Sequence, residues 1–432
     1  MQNSLKTHPG QPLPSGPGPH DPGHWAGGRG LRVCHLAKFY PPAPGGIESH
    51  VRTLAQGQAE LGARVRVVCV NHLDRQGRDV TWRRLARTAT VEEWDGPVRV
   101  TRLGRWGSLA RLDACPGLPR ALRRLRAETD VFHLHAPNPT MTLALAAARL
   151  PAALVVTHHS DVIRQRVLGR LFRPFEALVY RRAERIVCTS PRYAEGSAFL
   201  SGFSDKVGVL TFGIDLRPYL EPSAAAREQA RRLRAEHGEP LWLSVGRLVY
   251  YKGLHNAVRA LADVPGRWLV IGEGPAKPEL QRLAAEVCVA DRIAWRGHVG
   301  EDELVGAYHA ATALWFPSNA RSEGFGLVQV EAMASGCPVI NAAVPGSGVA
   351  WVSRHEETGL TVPLDDPAAL ARAGRRMLDE PGLLERLAEG GRRRVRREFE
   401  QRTMAERSFA VYQEAGCLTG NPRAERSSPL ES

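Results

Sequence analysis

The chain has 432 residues, a formal net charge of +13, and 43% hydrophobic, 24% charged and 6% aromatic residues. At roughly 100–200 residues per domain this points to two domains or three, and the composition excludes a mostly disordered chain. No run of about 18 apolar residues occurs and residues 1–30 lack an apolar core, so neither a transmembrane helix nor a signal peptide is expected.

Residues 1–30 hold six prolines and seven glycines with no Val, Ile or Phe, which predicts a disordered tail; 418–432 reads the same way. Between them, apolar runs alternate with helical spacing. The strands expected first are Leu31–Ala37, Arg64–Val70, Val98–Leu103, Asp130–His135, Ala153–Thr157, Arg185–Thr189 and Val207–Thr211. Further on come Leu241–Val245, Arg267–Ile271, Arg292–Trp295, Ala313–Phe316 and Pro338–Asn341. Their near-continuous apolar character suits strands buried on both faces. Helical spacing lies between them, as in His50–Leu61, Leu254–Leu261 and Pro278–Val287. This is an α/β chain with parallel sheets. A dozen strands exceed one such sheet, and the repetition pauses over the polar stretch Asp215–Pro240. Two Rossmann-like domains are expected, 31–215 and 216–400, followed by a helix within 401–417 and a tail from 418. Ligands of open parallel sheets bind beyond the carboxyl ends of the strands, so the cleft between the two domains is the expected site.

The seven cysteines, Cys34, Cys69, Cys115, Cys188, Cys288, Cys337 and Cys417, form no C-x-x-C pair. That argues against a disulfide framework or a cysteine zinc site and fits a reducing cytoplasm. Cys34, Cys69 and Cys188 read as small buried hydrophobes. Only five of the 58 basic residues are lysine (Lys6, Lys38, Lys206, Lys252 and Lys277), so each lysine carries information.

Several segments carry chemistry. After the first strand, Gly45 and Gly46 precede a helix, where backbone amides can meet a phosphate or simply make a tight turn. After the fifth, T-H-H-S-D (157–161) puts His158, His159 and Asp161 at a strand's carboxyl end. A polar substrate contact is expected there rather than zinc, since no further close His/Cys pair accompanies them; a buried, satisfied ring is the plain reading of His158. In L-S-V-G-R-L-V-Y-Y-K-G (243–253), Arg247 and Lys252 can clamp a diphosphate. In I-G-E-G-P (271–275), Gly272, Glu273 and Gly274 suggest a glycine turn approaching a nucleotide, because Lys277 breaks the dinucleotide fingerprint. The strongest signal is R-S-E-G-F-G-L-V-Q-V-E-A-M-A-S-G-C-P-V-I (321–340). Glu323 precedes a glycine loop at a helix start, and Glu331 comes about two turns on, near Glu323's face if the helix is extended back. Such carboxylates accept hydrogen bonds from sugar or ribose hydroxyls.

Together with F-G-I-D (212–215) and R-G-H-V (296–299), these segments resemble glycosyltransferase family 4, over about residues 31–410. The resemblance implies a GT-B fold: two Rossmann-like domains facing across a deep cleft, the first on the acceptor side and the second on the donor side. It implies retaining transfer of a hexose from a nucleotide-sugar, UDP- or GDP-linked, to a lipid-linked or polysaccharide glycan precursor, with no cofactor and no metal; no D-x-D sequence occurs. By position, Arg247 and Lys252 would hold the diphosphate, with Gly45 and Gly46 approaching from the first domain and Gly272, Glu273 and Gly274 lining the donor. Glu323 would contact the donor sugar and Glu331 the ribose. The backbone at Gly324, Phe325, Gly326 and Leu327 would meet the sugar hydroxyls. His159 would be the cleft histidine, with Asp161 beside it on the acceptor side. Glu323, His159, Arg247 and Lys252 would be the catalytic set. The chain departs from the family at Thr211, where proline is frequent. Its G-S-G-V-A-W-V (346–352) resembles members acting on surface polysaccharide or lipid-linked sugars.

Residues 164–185 hold seven arginines against two glutamates among Leu, Phe and Val. They read either as a surface for anionic lipid or as a domain helix with a solvated arginine face. The expected location is cytoplasmic, with docking to the inner face of the cell membrane as its extension. Nucleic acid is not an expected partner, because aromatic platforms and a recognised module are missing. The alternatives are a GT-B nucleotide-sugar epimerase and a non-catalytic sugar-nucleotide-binding protein.

Overall fold

A computed structural model describes residues 28–43, 45–74, 77–81, 83–109, 112–148, 152–160 and 166–417, with the side chains of 166–171 excepted. Two largely parallel sheets organise the chain. The first contains β1 (Arg32–Leu36), β2 (Arg64–Val70), β3 (Val91–Asp95) and β4 (Val98–Leu103). A small hairpin, β5 (Ser108–Leu109) and β6 (Leu112–Asp113), stands apart. Then come β7 (Val131–Ala136), β8 (Ala153–His158), β9 (Arg185–Cys188) and β10 (Val207–Val209). The order is β10-β9-β8-β7-β1-β2-β4-β3, parallel except for the edge pair β3–β4. The second sheet is built from β11 (Leu241–Val245), β12 (Arg267–Ile271), β13 (Ile293–Arg296), β14 (Ala313–Phe316), β15 (Val339–Ala342) and β16 (Gly359–Val362). Its order is β13-β12-β11-β14-β15-β16. Each sheet thus reverses direction of growth once, between β1 and β7 and between β11 and β14. The crevices at those two points lie at the carboxyl ends of the strands, where open α/β sheets bind ligands.

The buried strands explain the parallel sheets. β7, β14 and β15 are buried along their whole length, and β11 and β12 nearly so. Such strands need helices on both faces. Under the second crevice the core is tryptophan-rich. Trp242 and Trp315 stack at 4.9 Å. Ser244 Oγ accepts from Trp268 Nε1 at 3.1 Å and donates to the Trp315 carbonyl at 2.7 Å. That pins β11 to β14 just below the site.

Three elements were not foreseen: the exposed edge strand β3, the short β5–β6 hairpin and the closing strand β16. The expected first tail is also shorter at its inner end. Gly28–Gly30 form a turn against the final helix, where a side chain at 28 would lie 2.7 Å from the Phe409 ring; residues 1–27 and 418–432 lie outside the described residues. The polar stretch Asp215–Pro240 contains the helix Ala224–His237, which packs on Glu301–Ala310 of the second half; a Cβ on Gly306 would lie 2.7 Å from Gln229. The final helix, Gln401–Glu414, returns to the first half, burying Phe409 and Tyr412 there. The chain therefore crosses between halves twice, side by side. The Ile214 amide bonds the Phe399 carbonyl and the Gln401 amide bonds the Ile214 carbonyl, both at 2.9 Å. A Cβ on Gly213 would lie 2.6 Å from the Glu400 carbonyl oxygen, which is the physical reason for glycine in F-G-I-D.

Candidate functional site

The second crevice gathers the cations. The turn after β11 carries Gly246 and Arg247, and the short helix Tyr250–Lys252 brings Lys252 back over Gly246. Gly253 ends that turn with φ 62°, and a side chain there would collide with the Pro317 carbonyl after β14. Only glycine accommodates both demands. A solvent-open recess of about 250 Å³ lies here, lined by Gly246, Arg247, Lys252 and Phe316 among others. Lys252 Nζ stands 4.7 Å from the Phe316 ring centroid and 2.7 Å from Glu323 Oε2. Arg247 is exposed, and its guanidinium has no hydrogen bond or ion pair among the described residues. One lysine is thus locked to a carboxylate, and one guanidinium is left open at the same crevice.

Glu323 lies in the loop after β14, not on an extended helix. The helix Leu327–Ala334 begins only after Gly326, whose φ is 79° and whose Cβ would lie 2.6 Å from Phe316. Its amino end has no side-chain cap, which suits hydroxyl or anion recognition. Glu331 sits one turn inside. Tyr308 OH donates to its Oε2 at 2.6 Å. Burial raises the Glu331 carboxyl above its usual range, against the opposing pull of Tyr308 and Lys252. Lys252 therefore faces both expected glutamates. A buried amide network that the sequence did not advertise supports the loop. Gln329 Nε2 donates to the Phe325 carbonyl at 2.9 Å, and Asn341 Nδ2 donates to Gln329 Oε1 at 2.9 Å.

The I-G-E-G-P turn packs against the loop that follows β11. Side chains on Gly272 and Gly274 would collide with the carbonyls of Gly246 and Leu248, so these glycines let two loops pack together. Glu273 pairs with Lys277 at 2.9 Å.

The first half supplies the facing wall. Gly45 and Gly46 open the helix Gly46–Glu60, and a Cβ on Gly46 would lie 4.0 Å from Leu327 Cδ1. The two expected anion-binding turns thus meet. The Glu48 carboxylate folds against Gly45, and burial raises its pKa; it stands beside the amide end of the helix, where a donor phosphate was expected. His158 is the satisfied ring, with Nδ1 2.7 Å from Tyr180 OH. His159 comes close to the glycine loop: a Cβ on Gly324 would lie 3.4 Å from its carbonyl oxygen. Asp161 lies outside the described residues.

His159 is the end of a ladder that spacing within T-H-H-S-D could not disclose. Its Nε2 lies 3.0 Å from His135 Nδ1, and His135 Nε2 lies 3.0 Å from His35 Nδ1. His35 Nε2 then meets Gln58 Oε1 at 2.8 Å, while Gln58 Nε2 donates to Ser408 and Tyr412. The carboxamide fixes the direction. Gln58 Oε1 can only accept, so His35 carries its proton on Nε2, as do His135 and His159 in turn. His159 Nδ1 is left as an acceptor, and it is buried without a hydrogen-bond partner among the described residues. Burial lowers His159 to about 3 and His35 to about 4, and His50, His133 and His135 well below the usual value. The rings are neutral. The available signal was V-F-H-L-H-A in β7, where a period of two puts His133 and His135 on one face.

Two trios, His35/His133/His135 and His50/His135/His159, bring ring nitrogens within 4.8 Å of one another, spacing that could hold a metal ion. The sequence offered no close His/Cys partner for His158 and His159; for His159, β7 and the Gly46–Glu60 helix provide His135 and His50. Both nitrogens of His35 and His135 are engaged in the ladder, so an ion there would have to displace it.

The halves touch around this site. Arg321 Nη2 donates to the Tyr193 carbonyl at 3.1 Å and Nε to the Gly346 carbonyl at 2.8 Å. Gly196 and Gly346 approach so closely that a Cβ on the former would lie 2.7 Å from the latter's Cα. Phe212 bridges His50 and Phe325, with ring centroids at 4.3 and 4.9 Å.

Comparison with known proteins agrees with this architecture. Residues 44–217 match the model "Glycosyltransferase Family 4" and residues 226–394 match "Glycosyl transferases group 1". The chain is 34% identical over 377 residues to D-rhamnosyltransferase WbpZ of Pseudomonas aeruginosa, covering 85% of this chain and 92% of that one. It is 27% identical over 388 residues to the O-antigen chain mannosyltransferase C of Escherichia coli, covering 88% and 97%. The solved structure of sucrose-phosphate synthase from Thermosynechococcus elongatus superposes with a TM-score of 0.73 at 25% identity, over 90% of this chain and 100% of that one. The chain belongs to glycosyltransferase family 4 and has the GT-B fold.

Proposed function

We propose that the protein transfers a hexose, with retention, from a nucleotide-sugar to a hydroxyl of a surface-polysaccharide or lipid-linked glycan precursor. The observation that carries this is the crevice between β11 and β14, where Lys252 is paired with Glu323 while Arg247 stays open. A nucleoside diphosphate leaving group develops negative charge as the glycosidic bond breaks. Lys252, fixed by Glu323, and the open Arg247 guanidinium stabilise that charge, the role a metal plays elsewhere. Glu331, held by Tyr308, accepts from ribose hydroxyls. Glu323 and the uncapped helix start hold the donor sugar. His159, presenting a neutral acceptor nitrogen, lies on the acceptor wall. The acceptor oxygen attacks the face from which the diphosphate leaves. The names of the two relatives, a rhamnosyltransferase and an O-antigen mannosyltransferase, support a glycan acceptor of the cell surface.

The test is a thermal-shift panel with UDP-, GDP- and ADP-sugars, with and without EDTA. A ligand at 100 times its dissociation constant stabilises by about 2.7 kcal/mol. A shift with one nucleotide class, unchanged by EDTA, followed by NMR of the anomeric configuration of the product, is the expected result. Turnover of donor to an epimer without acceptor would replace this reading with the epimerase. Binding without any turnover would replace it with a sugar-nucleotide-binding protein.

A further inference from the structure

The first half carries an apolar surface that the transfer chemistry does not use. Leu85 is 89% exposed, Leu109 70% and Trp106 62%, with Leu112 beside them at 39%. Side chains this large and this exposed on one edge are uncommon on a monomer's surface. They are adjacent: the Ser108 amide donates to the Arg84 carbonyl at 2.7 Å, Leu109 pairs with Leu112 at the hairpin tip, and Arg87 lies 5.6 Å from the Trp106 ring.

The surface is held rigidly. Arg105 is fully buried and pairs with buried Asp113 at 3.0 Å. Its guanidinium also donates to the carbonyls of Val80, Thr81 and Arg83. One side chain therefore ties Val80, Thr81 and Arg83 to the β6 arm of the hairpin. Removing so costly a buried charge from water makes sense where a shape must be kept. Lys38, just after β1, reaches the same Asp113 at 3.7 Å, so the platform is rooted at the carboxyl end of the first sheet, on the rim of the cleft.

Its charge selects the occupant. Arg83, Arg84 and Arg87 are exposed around Leu85, and among the described residues no carboxylate pairs with them. Exposed Trp and Leu framed by arginines match a bilayer interface, with the apolar groups in the acyl boundary and the guanidiniums at phosphate. The described part of the 164–185 segment is less free. Its helix, Arg166–Arg182, runs unbroken through Pro174, Arg182 Nη1 donates to the carbonyls of Leu145, Ala146 and Ala148, and Arg173 stacks on Phe199 at 5.1 Å.

We propose that Leu85, Trp106, Leu109 and Leu112, with Arg83, Arg84 and Arg87, form a docking platform for an anionic lipid bilayer, setting the acceptor wall of the cleft against the membrane. The test is co-sedimentation of the full chain at low and high salt. The vesicles are pure phosphatidylcholine or an equal mixture of phosphatidylcholine and phosphatidylglycerol. The expected result is salt-sensitive binding to the mixed vesicles alone. Trp106→Ala/Leu109→Ser should reduce partition about tenfold or more. Arg83→Glu/Arg84→Glu/Arg87→Glu should do the same and flatten the salt dependence. Circular-dichroism melts check that both variants fold. No binding by the native chain overturns the proposal. Native-like binding by both variants also overturns it and hands the role to 164–185. Conversion of a dimer to a monomer by Trp106→Ala, in sedimentation velocity, assigns the patch to a second copy instead. The donor thermal shift does not depend on this surface, so failure here leaves the transferase reading intact.

Discussion

Lys252 Nζ lies 2.7 Å from Glu323 Oε2, with both side chains only 13% exposed. The two residues come from loops after β11 and β14, the strands that flank the crevice. Their pairing holds the lysine in place over Gly246. Lys252→Ala is expected to lower kcat by roughly 10²–10³, the cost of losing one preorganised charge at the site of developing negative charge. Arg247→Ala should raise the donor KM more than it lowers kcat, because its guanidinium is open to solvent. Steady-state kinetics with the donor identified in the thermal panel separates the two effects.

Tyr308 tunes Glu331. Its hydroxyl stabilises the carboxylate against burial. In Tyr308→Phe that bond is lost and the Glu331 pKa rises further. The protonated form cannot accept twice from a ribose, so donor affinity falls as pH drops through the raised pKa. The acid limb of donor binding should move to higher pH, with affinity near neutrality about 10-fold weaker. Titration of donor binding against pH, native beside variant, reads both.

The buried histidines link stability to pH. Unfolded imidazole titrates near 6.5, whereas His35 and His159 in the fold titrate near 4 and 3 and three others well below the usual value. Lowered pKa values mean that the unfolded chain binds more protons. Stability is therefore full above pH 6.5 and is lost as pH falls toward the folded values. Each ring contributes a slope of up to about 1.4 kcal/mol per pH unit. His50 has no hydrogen-bond partner on either nitrogen among the described residues. His50→Leu should reduce proton uptake on unfolding by about one at pH 5, measured by calorimetry in buffers of different ionisation enthalpy.

Gln58 directs the ladder from the far side of the first half. Gln58→Leu leaves His35 Nε2 without its acceptor and strips donors from Ser408 and Tyr412. Loss of stability of about 1–3 kcal/mol is expected. Nitrogen-15 shifts of His159 should change from one neutral tautomer to a mixture, with kcat falling while the donor KM stays. A merely structural role for Gln58 would lower stability and leave the His159 spectrum unchanged.

Much of this was legible before any fold was known. Val98–Leu103, Leu241–Val245, Arg267–Ile271 and Ala313–Phe316 appear with the bounds read from their apolar runs, because strands buried on both faces leave that mark. Exposed or short strands leave none: β3 runs V-E-E-W-D and β5 has two residues. That Arg247, Lys252 and the Glu323 loop share one crevice was readable because each follows a strand. Gly272 and Gly274 are also needed for loop packing, a demand the sequence did not disclose, since a glycine needed for packing and one needed for ligand approach look alike in a sequence.

The sequence alone determined the βα repetition, the two-domain architecture, and the cations and carboxylates that mark the crevice between β11 and β14. These are local properties, set by hydrophobic period and by the residues that end each strand. Only the tertiary structure decided which groups face one another. It joined His159 to His135, His35 and Gln58 across two strands and a helix, and sent the final helix back to cap them. It also used a buried Arg105–Asp113 pair to hold Trp106 and Leu109 in solvent. Contacts between residues far apart in the chain depend on strand order and register, and no local pattern encodes those.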